Sequence, residues 1–360
     1  MIDKLRCIFC GLLGLCLVFV AGLCLWERSS SFPVGKTTAV LAAAALTMPD
    51  GDYPVSYASE PTVAPNIPSP TAPADSAPEN SHIIVQEDVF SEDPSVYDDR
   101  VHLPVYEREY SEGDSEYDTF SLKNTTSYVP DISSLLSEPL SFDVTDDDEV
   151  QVLIYHTHTS ESYLTYDAGY YHQDFYPRST DPQRNMLRVG EAVVQTLNSL
   201  GIGAVQATEI HDDPQYTGAY SRSRATIEEY MTLYPDIKVV LDIHRDSISF
   251  GDEGGKVKPT FTYNGKKAAQ IMIMSGYPGE NSEGFSHWQD NLAFALKLQS
   301  TAESMYPGMT RPLYLGNFTY NMDVCSGSLL IEVGTDVNTL SEAVYTGQLL
   351  ANVLAKVLQS

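Results

Sequence analysis

From residue 150 to the carboxyl end, short apolar runs alternate with stretches of helical periodicity. Three runs, VLIYHTH at 152–158, VVLDIH at 239–244 and LLIEVG at 329–334, read as strands buried on both faces. Between the first two, Met186, Val189, Val193, Leu197 and Leu200 recur at spacings near three and four, and Gly201 stops the pattern. That spacing predicts a helix over 185–200. Further helices are predicted over 220–234, 288–306 and 340–358, and a short strand over 203–208. Strands around 260–263 and 270–274 form a predicted hairpin joined at Asn264-Gly265. Alternation of this kind predicts an α/β domain built on a twisted, largely parallel sheet with helices on both faces.

The first 149 residues follow a different pattern. Residues 7–26 form an uncharged apolar run, long enough at about 1.5 Å per residue to cross a bilayer. Lys4 and Arg6 precede it, which predicts a single-pass membrane anchor with the body exported. A cleaved signal peptide is the competing reading, with small residues around Ala43 as a cleavage site. Leu23, before Cys24, is too bulky for a lipoprotein box. The organisation read from composition is a short cytoplasmic end and anchor over 1–30, a disordered linker rich in Pro, Ser and acidic residues over 31–149, and a catalytic domain over 150–360. The apolar patches at 83–85 and 101–106 interrupt the linker as candidate recognition motifs.

Charge and cysteines narrow the classes. With 49 acidic against 21 basic residues and a net charge of -28, a broad nucleic-acid surface is excluded. Four of the five cysteines lie within the apolar run, so Cys325 has no partner in the exported part.

Ligands in α/β sheets gather at the carboxyl ends of the strands. Two strands ending in histidine and a third carrying Glu332 therefore bring two imidazoles and a carboxylate to one rim. The competing reading of each histidine is a hydrogen-bonded core residue. Neutral imidazoles with a carboxylate bind zinc and leave a position for water. Candidate ligands are His158 or His156, with His244 and Glu161; Glu191 is the rival to Glu161, and Asp242 and Asp246 stand beside His244 as outer-shell groups. Strand alternation points His156 and His158 the same way. His158, nearer the rim, is the preferred ligand, and His156 a substrate-contacting or outer-shell group.

Glu332 is the candidate for proton transfer, since an isolated charge in an apolar strand is costly without a function. Arg245 is a candidate for holding a substrate carboxylate or an oxyanion. The tyrosines of 163–176 either stack on substrate or pack their loop, and Arg222 and Arg224 contact acidic groups or pair at the surface. Neither HExxH nor GxSxG occurs, which removes the common zinc-peptidase helix and the nucleophile elbow.

Taken in order, VLIYHTHTSESY, RNMLRVGEAV, HDDPQYTGAYSRSRATIEEY, DIKVVLDIHRDS, YNMD and LLIEVGTDVNTLSEA resemble the stage II sporulation protein P family over essentially all of 150–360. The resemblance implies a zinc-dependent peptidoglycan hydrolase related to the N-acetylmuramoyl-L-alanine amidases, with possible endopeptidase action on cross-links. It implies a role in septal wall thinning and engulfment, beside the stage II sporulation proteins D and M. Carried over by position, HTHTSE supplies His158 and Glu161, LDIHRD supplies His244, and LIEVG supplies the catalytic Glu332. In the broader zinc amidases the ligand glutamate opens the first helix, whereas TDPQRN here has none. A catalytically silent scaffold that binds wall peptides is the rival function, and it would lack a ligand or the general base.

Overall fold

The structure, a computed structural model, describes residue 84 and residues 89–145, 149–251, 254–279 and 284–360. The expected anchor at 7–26 and the start of the linker lie outside the described residues. Among the described residues no helix is long and apolar enough to cross a membrane.

The elements run β1 (His102–Arg108), β2 (Ser115–Tyr117), β3 (Phe120–Asn124), α1 (Ile132–Ser137), β4 (Val152–Tyr155), β5 (Tyr170–His172), α2 (Met186–Ser199), β6 (Ala204–Gln206), α3 (Ala219–Leu233) and β7 (Val239–Asp246). Then come β8 (Ser249–Phe250), β9 (Gly255–Tyr263), β10 (Lys266–Ala269), β11 (Ile271–Gly276), α4 (Trp288–Met305), β12 (Leu313–Gly316), β13 (Gly327–Thr335) and α5 (Leu340–Leu358).

The main sheet has the order β2-β3-β12-β11-β13-β7-β4-β6. Its centre is parallel, β13 with β7 and β7 with β4, as the apolar runs predict. The sheet as a whole is mixed, which corrects the expected largely parallel arrangement: β11 runs against β13 and β2 against β3. The reason lies in the link from Gly316 to Gly327, shorter than the dozen or so residues a parallel crossover needs, so the chain reverses. Alternation along β4 sends Val152 and Ile154 into the core with α2, α4 and α5, and Leu153 and Tyr155 into a second core under α3.

The linker also needs correction. Part of the segment assigned to a disordered tether forms β1, β2, β3 and α1. β1 pairs with β5 and β9 in a second sheet of order β10-β9-β1-β5, and β3 pairs with β12 of the main sheet. Leu103 and Val105 of β1 pack on the small core of Leu164, Tyr166, Tyr171 and Val337. A seven-residue strand with alternate inward positions is invisible to average composition, especially with Pro104 inside it. The predicted hairpin turn exists, with Asn264 at φ 49° and Gly265 at φ 73°, but it joins β9 to β10. The strand expected at 270–274 is β11, which belongs to the main sheet.

Helix ends follow local chemistry. Asn185 caps α2 by accepting from the Leu187 N–H, and Thr339 and Glu342 form a capping box on α5. Helix α2 approaches the sheet at Gly190, where an added Cβ would lie 2.3 Å from Gln206 Nε2 and 2.5 Å from His156 Nε2. Those two nitrogens are 2.9 Å apart in a partly buried hydrogen bond. Gly190→Ala is expected to break that bond and cost about 1–3 kcal/mol. Thermal unfolding checks this, and an unchanged Tm would show that the pair can move aside.

Candidate active site

Strand β4 ends at Tyr155, and the next residues form a tight turn. Strand alternation therefore stops before either histidine, and the two side chains diverge. His156 is fully buried, with Nδ1 at 2.8 Å from the Ile243 carbonyl and Nε2 bonded by Gln206. This corrects its placement as a substrate contact: it is a core histidine that fastens the turn to β7 and β6, and burial lowers its pKa to about 4. His158 reaches the rim instead. Its ring lies 5.2 Å from that of His244, nearly perpendicular to it.

The turn is set by Asp242 on β7. Its carboxylate accepts from the Thr157 N–H at 2.8 Å and from Thr157 Oγ1 at 2.7 Å. Asp242 and His244 are two residues apart on one strand and so share a face. His244 Nε2 is 2.8 Å from Asp242 Oδ1, so the carboxylate faces the imidazole at contact distance. Burial opposes protonation of His244, but Asp242, then Glu161 and Glu332, outweigh it and raise its pKa to about 9. His158 behaves oppositely: burial, then the neighbouring His244, lower it to about 4.

Glu332 is the Cα partner of His244 across the β7–β13 ladder. The register shifts between Glu332 and Thr335, and Gly334 adopts φ 63° there. A Cβ on Gly334 would lie 2.5 Å from Asn338 Oδ1, so this bulge beside the rim requires glycine. Glu332 is partly exposed, but its Oε2 is buried without a hydrogen-bond partner. Desolvation, then Asp246, raise its pKa to about 8 against the pull of His244 and Arg311.

Glu161 lies just past the turn, buried, with Oε2 3.7 Å from His244 Nδ1. Its Oε1 faces two guanidiniums, Arg178 at 3.5 Å and Arg245 at 3.6 Å, and its Oε2 accepts from the Arg245 N–H at 3.2 Å. Arg245, expected to meet substrate, is turned inward by strand alternation, opposite in direction to His244. Its Nε donates to the Ser162 carbonyl at 3.3 Å and its Nη2 to the Pro177 carbonyl at 2.7 Å, so it braces the loop carrying Glu161. Glu191 points away, paired with Arg188 at 3.0 Å, and is no rival ligand here. Asp246 pairs with buried Arg311 at 2.9 Å.

Sequence reading missed several groups. Asp212 accepts from the Ser160 N–H and hydroxyl and from Arg178, with Oδ2 3.9 Å from His158 Nδ1. Tyr216 stacks on His158 at 4.4 Å, and Arg178 lies over the same tyrosine ring. Tyr220 meets the edge of His158 at 5.8 Å. Asp212, Tyr216 and Tyr220 lie on the loop before α3 and at its start, a polar stretch with no periodicity to mark it, and Arg178 on the loop before α2. Of the tyrosine-rich loop, Tyr163 is buried and donates to the Val333 carbonyl, while Tyr176 is exposed. Arg222 and Arg224 are both engaged within the chain, Arg222 on the His211 carbonyl and Arg224 on both oxygens of Asp323.

A family model described as Stage II sporulation protein P matches residues 75–355. This chain belongs to that family. The stage II sporulation protein P of Bacillus subtilis (strain 168) is 30% identical over 223 residues, 59% of this chain and 52% of that protein. The match thus spans about half of that relative's length. Among solved structures, an N-acetylmuramoyl-L-alanine amidase of Nostoc punctiforme aligns over 59% of this chain and 98% of its own, at 14% identity and a TM-score of 0.37. One from Clostridium difficile 630 aligns over 59% and 96%, at 19% identity and a TM-score of 0.34. Likeness at these scores adds nothing to the family assignment.

In this stage II sporulation protein P family member the rim carries donors of the kind a metal takes. Two buried polar atoms without hydrogen-bond partners, His158 Nδ1 and Glu332 Oε2, belong to residues of the same rim, beside His244, whose Nε2 faces Asp242. Neutral imidazoles beside a buried carboxylate are a donor set suited to zinc. Among the described residues, however, no group of three His, Cys, Asp or Glu side chains stands ready to hold an ion. The donor chemistry fits a metal.

Proposed function

We propose that this chain is a zinc-dependent peptidoglycan hydrolase that cleaves the amide between N-acetylmuramic acid and L-alanine, acting in septal wall thinning during sporulation. The observation that carries the reading is the unpartnered, buried polar atoms of His158 and Glu332 beside His244 on one sheet rim of a sporulation-family chain. His158, His244 and Glu161 would hold the metal, and zinc when bound supplies a Lewis acid and an acidified water. Asp242 orients His244, and Asp212 faces His158. Glu332, as the carboxylate, takes a proton from the attacking water and delivers it to the departing amine of L-alanine. Arg178 and Arg245 neutralise Glu161 and fix its loop. In this reading residues 7–26 anchor the chain, with the catalytic residues on the extracytoplasmic side of the membrane. The stage II sporulation proteins D and M are its proposed partners.

The test uses the full chain with purified peptidoglycan, in zinc or in chelator, beside His244→Ala. Stem peptides with a free amino-terminal alanine, identified by mass spectrometry, are expected with zinc only, restored when zinc is returned after chelation, and absent for His244→Ala. Intact wall despite measured zinc binding would replace this reading with the scaffold. Release of peptides cut within the cross-link, with none freed from the sugar, would replace the amidase with an endopeptidase.

A further inference from the structure

Four aromatic rings lead away from the candidate centre, from the start of α3 to β12. Tyr220, whose edge-on neighbour is His158, stacks on Tyr320 at 5.0 Å and 17°; Tyr320 stacks on Phe318 at 4.7 Å and 17°; Phe318 stacks on Tyr314 at 5.9 Å and 13°. All four are partly exposed. Near-parallel rings at these separations are offset, so each leaves part of its face and an edge open, as steps in a stair.

The row is held in place at a cost. Tyr320 adopts φ 43° and Asn321 φ 58°, a left-handed conformation that is strained for a bulky residue. Asn321 donates to the Tyr220 carbonyl and to Ser223 Oγ, and Asp323 binds Arg224 through both oxygens, so the strained loop is tied to α3. At Gly316 a Cβ would lie 2.2 Å from Phe318 Cε1 and 2.7 Å from Tyr314 Cε1, so a glycine is needed for the rings to pack. Strain retained beside a candidate active site points to use rather than accident.

The chemistry of the row selects its occupant. Its ring faces are apolar, three of its four rings carry a phenol, and among the described residues the one cation over it is Lys123, above Tyr314 at 5.8 Å. A peptide stem, rich in carboxylates, would require cations along its length, and Arg224 is already engaged by Asp323. A neutral polymer with apolar ring faces, hydroxyls at its edges and a repeat of one ring per step fits better. We propose that Tyr220, Tyr320, Phe318 and Tyr314 form a subsite row that binds the glycan strand of peptidoglycan, several sugars beyond the one bearing the scissile amide. This deepens the reading under Proposed function and rests on it for the choice of polymer.

The test separates the two. Binding of the full chain to peptide-free N-acetylated glycan oligomers of increasing length is measured by calorimetry, without catalysis. Affinity is expected to rise with length for wild type. Phe318→Ala and Tyr314→Ala are expected to lose about tenfold on the longest oligomer, flattening the length dependence. Phe318→Tyr is expected to restore it, which loss of folding could not explain. Length dependence that is equal in wild type and both alanine variants would overturn the row, as would binding of free stem peptides in place of glycan. Length-dependent glycan binding without any release of peptides from wall would keep the row and sink the amidase.

Discussion

Glu332→Gln is expected to lower peptide release from peptidoglycan by about 10²–10⁴-fold while making the zinc-free protein more stable above neutral pH. The two effects share one cause. The carboxyl of Glu332 sits in an apolar strand with Oε2 unpartnered, and its pKa rises from the ordinary 4.5 to about 8. The folded chain therefore holds a proton that the unfolded chain releases near pH 4.5. Its contribution to stability is fully present below that value and is lost as pH rises through about 8. At pH 9 wild type carries an ionised, poorly solvated carboxylate that glutamine lacks. The gain for Glu332→Gln there is on the order of 2 kcal/mol, after discounting for the partial exposure of the side chain. At pH 4 the two proteins are expected to unfold together. Thermal unfolding in chelator across this range checks the claim; a constant difference between the two proteins at all pH values would show that Glu332 does not titrate with folding.

Asp242→Ala is expected to have the largest effect on folding and to abolish activity with it. This carboxylate is buried on a central strand, accepts two hydrogen bonds from Thr157 and faces His244. Removing it leaves the Thr157 N–H without its acceptor and His244 without the nearest negative charge. Breaking a buried network of this kind costs about 3–4 kcal/mol. For a domain of this size that is a fall in Tm of roughly 6–16 °C. Asp242→Asn, which keeps an acceptor for Thr157, is expected to fold better than alanine but to let the His244 pKa fall from about 9. Calorimetry gives the first quantity and histidine NMR titration the second. A melting point for Asp242→Ala within a degree or two of wild type would mean that the turn after β4 is held elsewhere.

Asp242 also explains what could and could not be read in the residues. Apolar runs report burial, and burial on both faces reports a central strand, so β4, β7 and β13 were legible with the groups that end or interrupt them. The helices α2, α3, α4 and α5 followed from spacing, to within a residue or two at their ends. β1 was hidden because its inward Leu103 and Val105 sit among prolines and acidic residues. The reversal of β11 was hidden because strand direction depends on the length of a link between other strands.

At the rim, His244 and Glu332 could be placed side by side because each lies within a strand, where alternation is a local property. His156 and His158 could not be separated in that way. Where β4 stops is a matter of contact with Asp242, 85 residues along the chain from Thr157, and that contact turns one histidine into the core and the other outward. Arg178, Asp212 and Tyr216 come from two loops without periodic pattern and meet around His158 only after the sheet has formed. Periodicity along the chain carries burial, whereas the grouping of charges at a strand end depends on which loops the packed core brings together.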